Sequence, residues 1–223
     1  MYEAFEKLPE EKKASILSSC LEEFSEHGYD QASTDAITSR AGISKGILFH
    51  YFKSKKNVYL YLLRHVSDML TGKVLASIGD APKDDFFERI KALAATKLVI
   101  GFQYERESKF LIHAFARPAK SVQQEVQQFY KANIEAHERA GTMVRVYDVH
   151  LLHPSKLRDG VTPERVVQMV TLFMESFTNQ VLASYRTGDE EVMERTVYWT
   201  NELTAYLDLM KHGAYRSEEN ENK

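Results

Sequence analysis

The sequence predicts an all-α fold of about nine helices, because apolar residues recur three and four positions apart through most of the chain. Only 10 glycines and 5 prolines occur among 223 residues, so long helices can run without interruption. The apolar fraction of 43% is sufficient for a packed core, which argues against a disordered chain.

Composition also predicts where the protein resides. Cys20 is the single cysteine, so the chain cannot form an internal disulfide, and this favours a reducing compartment. The N-terminal residues MYEAFEKLPEEKK contain no apolar signal core, and no stretch reaches the roughly 18 uncharged apolar residues that a membrane span needs. We therefore expect a cytoplasmic protein with no membrane partner.

The first long helix is expected to begin at Pro9, in the position that proline tolerates best, and to run to His27. Gly28 follows and ends it. Five residues at helical spacing are predicted to form its buried face: Ala14, Leu17, Cys20, Leu21 and Phe24. In this setting Cys20 is a small core residue and not a reactive thiol.

Two short helices and a long one follow. The first spans Thr34 to Arg40, the turn Ala41-Gly42-Ile43 ends it, and Ser44 caps a second short helix from Lys45 to Tyr51. A long helix is predicted from Lys55 to about Ser77. Two short helices joined by a tight glycine-containing turn predict a helix-turn-helix domain.

Charge is distributed unevenly around this region. Residues 1–39 hold three lysines against nine acidic residues, a net charge of −6, whereas residues 40–73 hold seven basic residues against Asp68 alone, a net charge of +6. A short basic block inside an acidic protein is typical of a surface that meets an anionic partner. The alternative is a solvated charged face, which is the usual meaning of an arbitrary block.

The rest of the chain is predicted to form a helical bundle. Further helices are expected at about residues 83–102, 105–116, 119–150, 163–187 and 190–212. The predicted division is a helix-turn-helix domain at 1–54, a connecting helix at 55–77, an effector-binding and dimerisation domain at 78–215, and a disordered tail at 216–223.

The last two helices favour a homodimer. The penultimate helix carries apolar stripes on two sides, and the final one follows a 4-3-4 spacing that is typical of helices packed at a shallow angle. Burial inside the monomer's own bundle is the alternative. The residues predicted to form the interface are Val167, Met174, Leu182, Trp199, Leu203 and Tyr206.

A family resemblance is visible at residues 34–63, TDAITSRAGISKGILFHYFKSKKNVYLYLL. The A-G-I-S-K-G turn, the F-H-Y-F helix and the following K-S-K occur together and in order. This segment resembles the DNA-binding region of the tetracycline-repressor (TetR) family of bacterial regulators, and the resemblance covers roughly residues 9–64. It implies a dimer that binds a palindromic duplex operator and is released by a small-molecule effector, most often as a repressor.

The resemblance also implies roles for single residues. Lys45 and Gly46 would enter the major groove, and Ile47 and Phe49 would meet base edges. These two positions depart from the family, which often has a small polar residue at the first and tyrosine at the second. The full set of implied DNA-contacting residues is Thr34, Ser44, Lys45, Gly46, Ile47, Phe49, His50, Tyr51 and Lys55.

An effector pocket is expected among the helices of residues 83–185, although each aromatic residue there could equally be ordinary core. The candidate lining residues are Phe102, Tyr104, Phe110, His113, Arg117, Phe129, Tyr130 and Phe173. His150 and His153 lie three apart, but no cysteine or carboxylate pattern accompanies them, so no metal site or cofactor is expected.

Two other functions are compatible with a helical dimer. One is an adaptor that does not bind DNA. The other is a small-molecule enzyme, which finds less support because the chain has no glycine-rich phosphate loop, nucleophile elbow or H-E-x-x-H motif. A DNA-mobility assay separates the adaptor from the regulator, and turnover of a small molecule would favour the enzyme.

Overall fold

The computed structural model describes residues 2–186 and 192–215, and over these residues the predicted all-α fold is confirmed, with eleven α-helices. In chain order they are α1 (Glu3–Glu6), α2 (Glu10–Gln31), α3 (Thr34–Arg40), α4 (Lys45–Phe52), α5 (Lys55–Ala76), α6 (Phe86–Gln103), α7 (Glu105–Ala116), α8 (Gln123–Arg139), α9 (Thr142–Val146), α10 (Pro163–Ser184) and α11 (Val192–Ala214). The predicted tail at 216–223 lies outside the described residues. None of the helices described is both long and apolar enough to cross a membrane.

The chain divides into two compact units. The first comprises Met1–Thr71 with Tyr104–Ala132, and the second comprises Gly72–Gln103 with Asn133–Lys223. The predicted division placed all of residues 78–215 in one domain. The contacts group 104–132 with the N-terminal helices instead, because α7 packs against α2.

The core of the first unit forms around α2. Ile16, Cys20 and Phe24 point inward at intervals of four residues, which places them in one row on the helix. We expected Ala14 on this face, but its side chain is exposed. Ile16, which was not among the expected residues, is fully buried. Gly28 interrupts the helical path with a φ of 63°, a left-handed conformation that glycine adopts without strain. The predicted break after His27 is therefore present, and one more turn follows to Gln31.

The second unit is organised by α6 and α11, which run in opposite directions. Lys91 lies 2.7 Å from Asp208, and Lys211 lies 2.7 Å from Glu88, so residues late in one helix meet residues early in the other. The hydrogen bond from Lys211, followed by that from Lys91, lowers the pKa of Glu88. Fully buried apolar residues of both helices lie beneath these pairs, and Leu207 is one of them.

Arg89, on α6, is a buried cation that binds backbone. Its guanidinium donates to the carbonyl oxygens of Ile78, Ala81, Pro82 and Arg145 at 3.0–3.4 Å. The rigid fork of arginine suits several acceptors at once. The side chain thereby fixes the turn after α5 against the end of α9.

One predicted helix is divided in the structure. The stretch 119–150 contains α8, then Gly141 at a φ of 64°, then α9 and a 3₁₀ turn at Val149–Leu151. Helix α1 was not predicted, because four residues carry no readable period.

The burial of Cys20 leads to a prediction about the reactivity of its thiol. Cys20 is fully buried, and this burial raises its pKa to about 12. At mildly alkaline pH the thiol therefore stays protonated and covered, so the native protein should not react with a disulfide reagent such as dithionitrobenzoate. One thiol per chain should react after denaturation, which serves as the control. Rapid labelling of the native protein would show that Cys20 is not in the core.

Candidate nucleic-acid interface

Serine side chains begin both short helices of the predicted helix-turn-helix. Ser33 Oγ accepts a hydrogen bond from the Ala36 amide at 3.3 Å, and Ser44 Oγ accepts one from the Ile47 amide at 3.2 Å. Gly42 in the intervening turn has a φ of 63°, which a larger residue would adopt only with strain. The Ser44 cap and the turn agree with the prediction, and α4 extends one residue further, to Phe52.

A clamp of charged residues holds α3 against α2. Arg40 Nε lies 3.1 Å from Glu22 Oε1, and its Nη1 lies 3.6 Å from Glu23 Oε2 and donates to the Ser19 carbonyl at 3.3 Å. Glu23 is 2% exposed, and its other oxygen accepts from the Ser33 amide at 2.7 Å. A buried carboxylate thus satisfies an amide at the start of α3 and faces the arginine at its end. Sequence reasoning missed this clamp, because its members are 10 to 21 residues apart.

Helix α4 buries two residues, leaves four exposed and keeps two half-buried. Leu48 and Phe52 are fully buried, and they lie four residues apart on one face. Ile47 is an exposed large apolar residue, 39% accessible. Of the nine residues implied by the resemblance, Ser44, Lys45, Gly46, Ile47 and His50 are exposed, and Thr34, Phe49, Tyr51 and Lys55 are half-buried. All nine lie in the first unit.

Two lysines at this surface interact with neighbouring groups of the protein. Lys45 Nζ lies 3.0 Å from Asp35 Oδ2, with both side chains largely exposed. Lys55 Nζ donates to the Asp30 carbonyl at 3.1 Å and lies 5.0 Å from the centre of the Tyr29 ring. Exposed pairs of this kind contribute only about 0–1 kcal/mol, so a phosphate can replace them.

The neighbouring lysine has a firmer partner. Lys56 Nζ lies 2.6 Å from Glu125 Oε1 on α8, and this hydrogen bond raises the pKa of Lys56 and lowers that of Glu125. Close by, Ser121 Oγ donates a hydrogen bond to Asp30 Oδ1 at 2.7 Å. The first turn of α5 is therefore tied to the start of α8 within the first unit.

The candidate effector residues are divided between the units. Phe102 and Phe173 belong to the second unit, and the other six belong to the first. Phe110 is 2% exposed and its ring lies edge-on to Tyr59 at 5.5 Å, so it is a core residue. Phe129 and Tyr130 both lie beside the Phe115 ring, and His113 and Arg117 are exposed. A single lining made of all eight stays a prediction.

The second unit contains an open concavity of about 580 Å³ that was not predicted. It lies between the start of α10, the end of α11 and the turn before α10. The lining residues are Gly160, Val161, Arg165, Val166, Met169, Tyr206, Leu209, Met210, Gly213 and Ala214. None of the eight candidate effector residues contributes to it.

The residues predicted to form the dimer interface differ in burial and packing. Leu203 is buried within its own unit, and Trp199 packs on Phe177 and donates its indole N–H to Ser184 Oγ at 2.9 Å. Val167 and Met174 pack against the same core, and Leu182 is half-buried. Tyr206 is 43% exposed. Met169 and Leu209 line the same concavity as Tyr206 and are also exposed, and Leu172 is a further exposed apolar residue of α10. The signal that would have revealed Met169 and Leu172 is a third apolar row on α10.

Residues 2–186 and 192–215 contain no group of three or more histidine, cysteine or acidic side chains arranged to hold a metal ion.

Comparison with known proteins supports the resemblance. The sequence model described as "Bacterial regulatory proteins, tetR family" matches residues 16–62. The transcriptional activator FasR of Mycolicibacterium smegmatis is 40% identical over 68 residues, which cover 30% of this chain and 31% of FasR. The transcriptional regulator RutR of Escherichia coli K12 is 35% identical over 94 residues, which cover 42% of this chain and 40% of RutR. The chain thus spans less than half the length of these two curated relatives.

The fold has solved counterparts. The transcriptional regulator FadR of Bacillus subtilis, crystallised in complex with stearoyl-CoA, superposes with a TM-score of 0.56. The superposition covers 89% of this chain and 97% of FadR at 15% sequence identity. At that identity the likeness concerns the fold.

The clamp on α3 makes a prediction about stability. Replacing Glu23 with alanine leaves the Ser33 amide and Arg40 without their buried acceptor, which should cost about 2–3 kcal/mol of unfolding free energy. Replacing Glu22, which meets the same arginine at the surface, should cost less than about 1 kcal/mol. Urea denaturation of the two variants measures the difference. Equal losses would contradict the assigned role of Glu23.

Proposed function

We propose that this chain is a transcriptional regulator of the TetR family, whose sequence model its residues 16–62 match, and that it binds a palindromic DNA operator as a homodimer and responds to a small-molecule effector. The observation that carries this proposal is the surface of α4. Two residues anchor the helix, and its remaining surface presents a lysine, a glycine and an apolar side chain to solvent. Such a surface has little structural purpose and is well suited to a major groove.

The start of α4 is suited to reading bases. A Cβ built at Gly46 would have only Ser44 Oγ near it, at 3.8 Å, so the protein itself does not require glycine there. Close approach of DNA gives a reason for the missing side chain. Ile47 and Phe49 follow, and their apolar surfaces fit thymine methyl groups.

Other residues around α4 are suited to phosphates. Thr34, His50 and Tyr51 carry hydrogen-bond donors near the ends of the short helices, and Lys55 carries one at the start of α5. Contacts of such groups with phosphates position a protein without reading sequence. Lys45 and Lys53 add exposed positive charge. A protein with 6–10 phosphate contacts loses about 10³–10⁵ in affinity between 50 and 200 mM salt, so operator affinity should fall steeply as salt increases.

We place the dimer contact on α10 and α11. Met169, Leu172, Tyr206 and Leu209 are 39–70% exposed, and three of them, Met169, Tyr206 and Leu209, line the same concavity. Exposed apolar patches of this kind usually mark an interface. A second copy would bury them, and the proposed operator would present its two half-sites about 34–36 Å apart, in successive major grooves.

The proposal also includes a small-molecule effector and a choice between repression and activation. FadR, which has the same fold, is described in complex with stearoyl-CoA, and this supports a small-molecule effector for this chain too. FasR is named as an activator. For this chain we propose inducible repression instead. A reporter gene placed behind the selected operator distinguishes repression from activation. A DNA-binding regulator of this kind works in the cytoplasm. An adaptor without DNA binding would select no duplex from the native genome.

The recognition surface makes a prediction for binding. Lys45→Ala and Tyr51→Ala should each weaken binding to a duplex selected from the native genome by about tenfold or more. Lys12, an exposed lysine early in α2, provides the matched control, since Lys12→Ala removes one charge away from α4. Fluorescence anisotropy across a salt series measures affinity and its salt dependence. Wild-type affinity in both variants would contradict the assignment of α4 as the recognition helix.

The proposed dimer face makes a separate prediction. Leu209 is 70% exposed, so Leu209→Glu should leave the protomer folded and lower the dimer association constant by about tenfold or more, because a charge enters an apolar contact. Val144 on α9 is 72% exposed, which makes Val144→Glu the matched control. Sedimentation equilibrium distinguishes the two variants, and an unchanged dimer in Leu209→Glu would place the interface elsewhere.

A further inference from the structure

The N-terminal segment, residues 2–8, packs against the end of the proposed recognition helix. Phe5 of α1 is fully buried, and its ring centroid lies 4.8 Å from that of Phe52 and 5.8 Å from that of Tyr51. Tyr2 lies 5.7 Å from Phe52. Residues 2–8 precede the segment, 16–62, that matches the family's sequence model.

The segment is also fastened to α5. Tyr61 donates its hydroxyl hydrogen to Glu6 Oε1 at 2.6 Å, and its ring lies 5.2 Å from Phe5 and 4.8 Å from Tyr2. The Lys13 ammonium donates to the Glu6 carbonyl at 3.4 Å. The four-residue helix is therefore held in a defined place by both polar and aromatic contacts.

Helix α4 depends on what covers Phe52. Isolated helices shorter than about 12–15 residues are marginal in water, so an eight-residue helix requires tertiary contacts. Only Leu48 and Phe52 of α4 are buried. Three rings from outside α4 surround Phe52, and two of them, Tyr2 and Phe5, come from the N-terminal segment.

We propose that the N-terminal segment, through Phe5, positions the recognition helix and the Tyr51 side chain for DNA binding. The inference rests on the proposed function, because it assigns Phe5 a role in operator affinity. Phe5 touches no DNA in this scheme. It acts through Phe52, which fixes the end of α4, and through Tyr51, whose ring packs between Phe5 and His50.

A merely structural role would affect the whole first unit, so the test compares two phenylalanines. Phe24 of α2 is 3% exposed in the same core, and its ring partners are Tyr29 and Tyr59. Phe5→Ala and Phe24→Ala thus remove the same side chain from one unit at different places. Phe5→Leu restores most of the apolar volume and provides a rescue that remains usable if Phe5→Ala fails to fold.

The experiment uses the full chain at a temperature at which circular dichroism shows each variant folded. Anisotropy measures affinity for the selected duplex, and amide hydrogen exchange reports on residues 45–52. We expect Phe5→Ala to weaken binding by about tenfold or more, Phe5→Leu to lie between it and wild type, and Phe24→Ala to remain within about twofold. Exchange in α4 should be faster in Phe5→Ala than in Phe24→Ala.

Two results overturn the proposal. One is equal weakening of DNA binding by Phe5→Ala and Phe24→Ala, and the other is equal exchange rates in α4. If the wild-type chain selects no duplex, the proposed function fails, and the exchange comparison alone then decides whether Phe5 orders α4. Faster exchange confined to residues 45–52 supports the role of Phe5 in that case as well.

Discussion

The burial of Leu48 and Phe52 is the constraint on which the candidate interface depends. Eight residues cannot sustain a helix in water, so α4 exists because these two side chains enter the core of the first unit. The face of α4 opposite these two residues is therefore not needed for packing. An exposed isoleucine at 47 costs little stability there, and the surface is free to be shaped by a partner.

The structure also shows how an acidic protein can present a basic surface. Asp35 faces Lys45, and Glu125 faces Lys56, so in the free protein these lysines have anionic neighbours. In the proposed complex a phosphate would replace the exposed Asp35 at small cost, whereas the Lys56 pair joins α5 to α8 and serves the unit itself. Counting lysines in the basic block therefore overstates the number available to DNA.

What the sequence could predict was local. The cap at Ser44 and the left-handed Gly42 depend on residue types at fixed offsets, so the bounds of α3 and α4 followed within one residue. Helix α1 could not be predicted, because the burial of Phe5 depends on rings more than 40 positions away along the chain. The Glu23 clamp is similarly invisible, since the neighbouring acidic residues Glu22, Glu23 and Glu26 give no sign of which one is buried.

Periodicity was least informative about partners on α11. Its 4-3-4 spacing correctly identified a helix with one packed face, but a repeat does not say whether that face meets the protomer's own helices or a second copy. Leu203 and Trp199 pack within the second unit, whereas Tyr206 of the stripe is 43% exposed and Leu209, which lies outside the stripe, is 70% exposed. An interface between identical helices must be built from what intramolecular packing leaves over, so the residues that break a stripe are more informative about a dimer than the stripe itself.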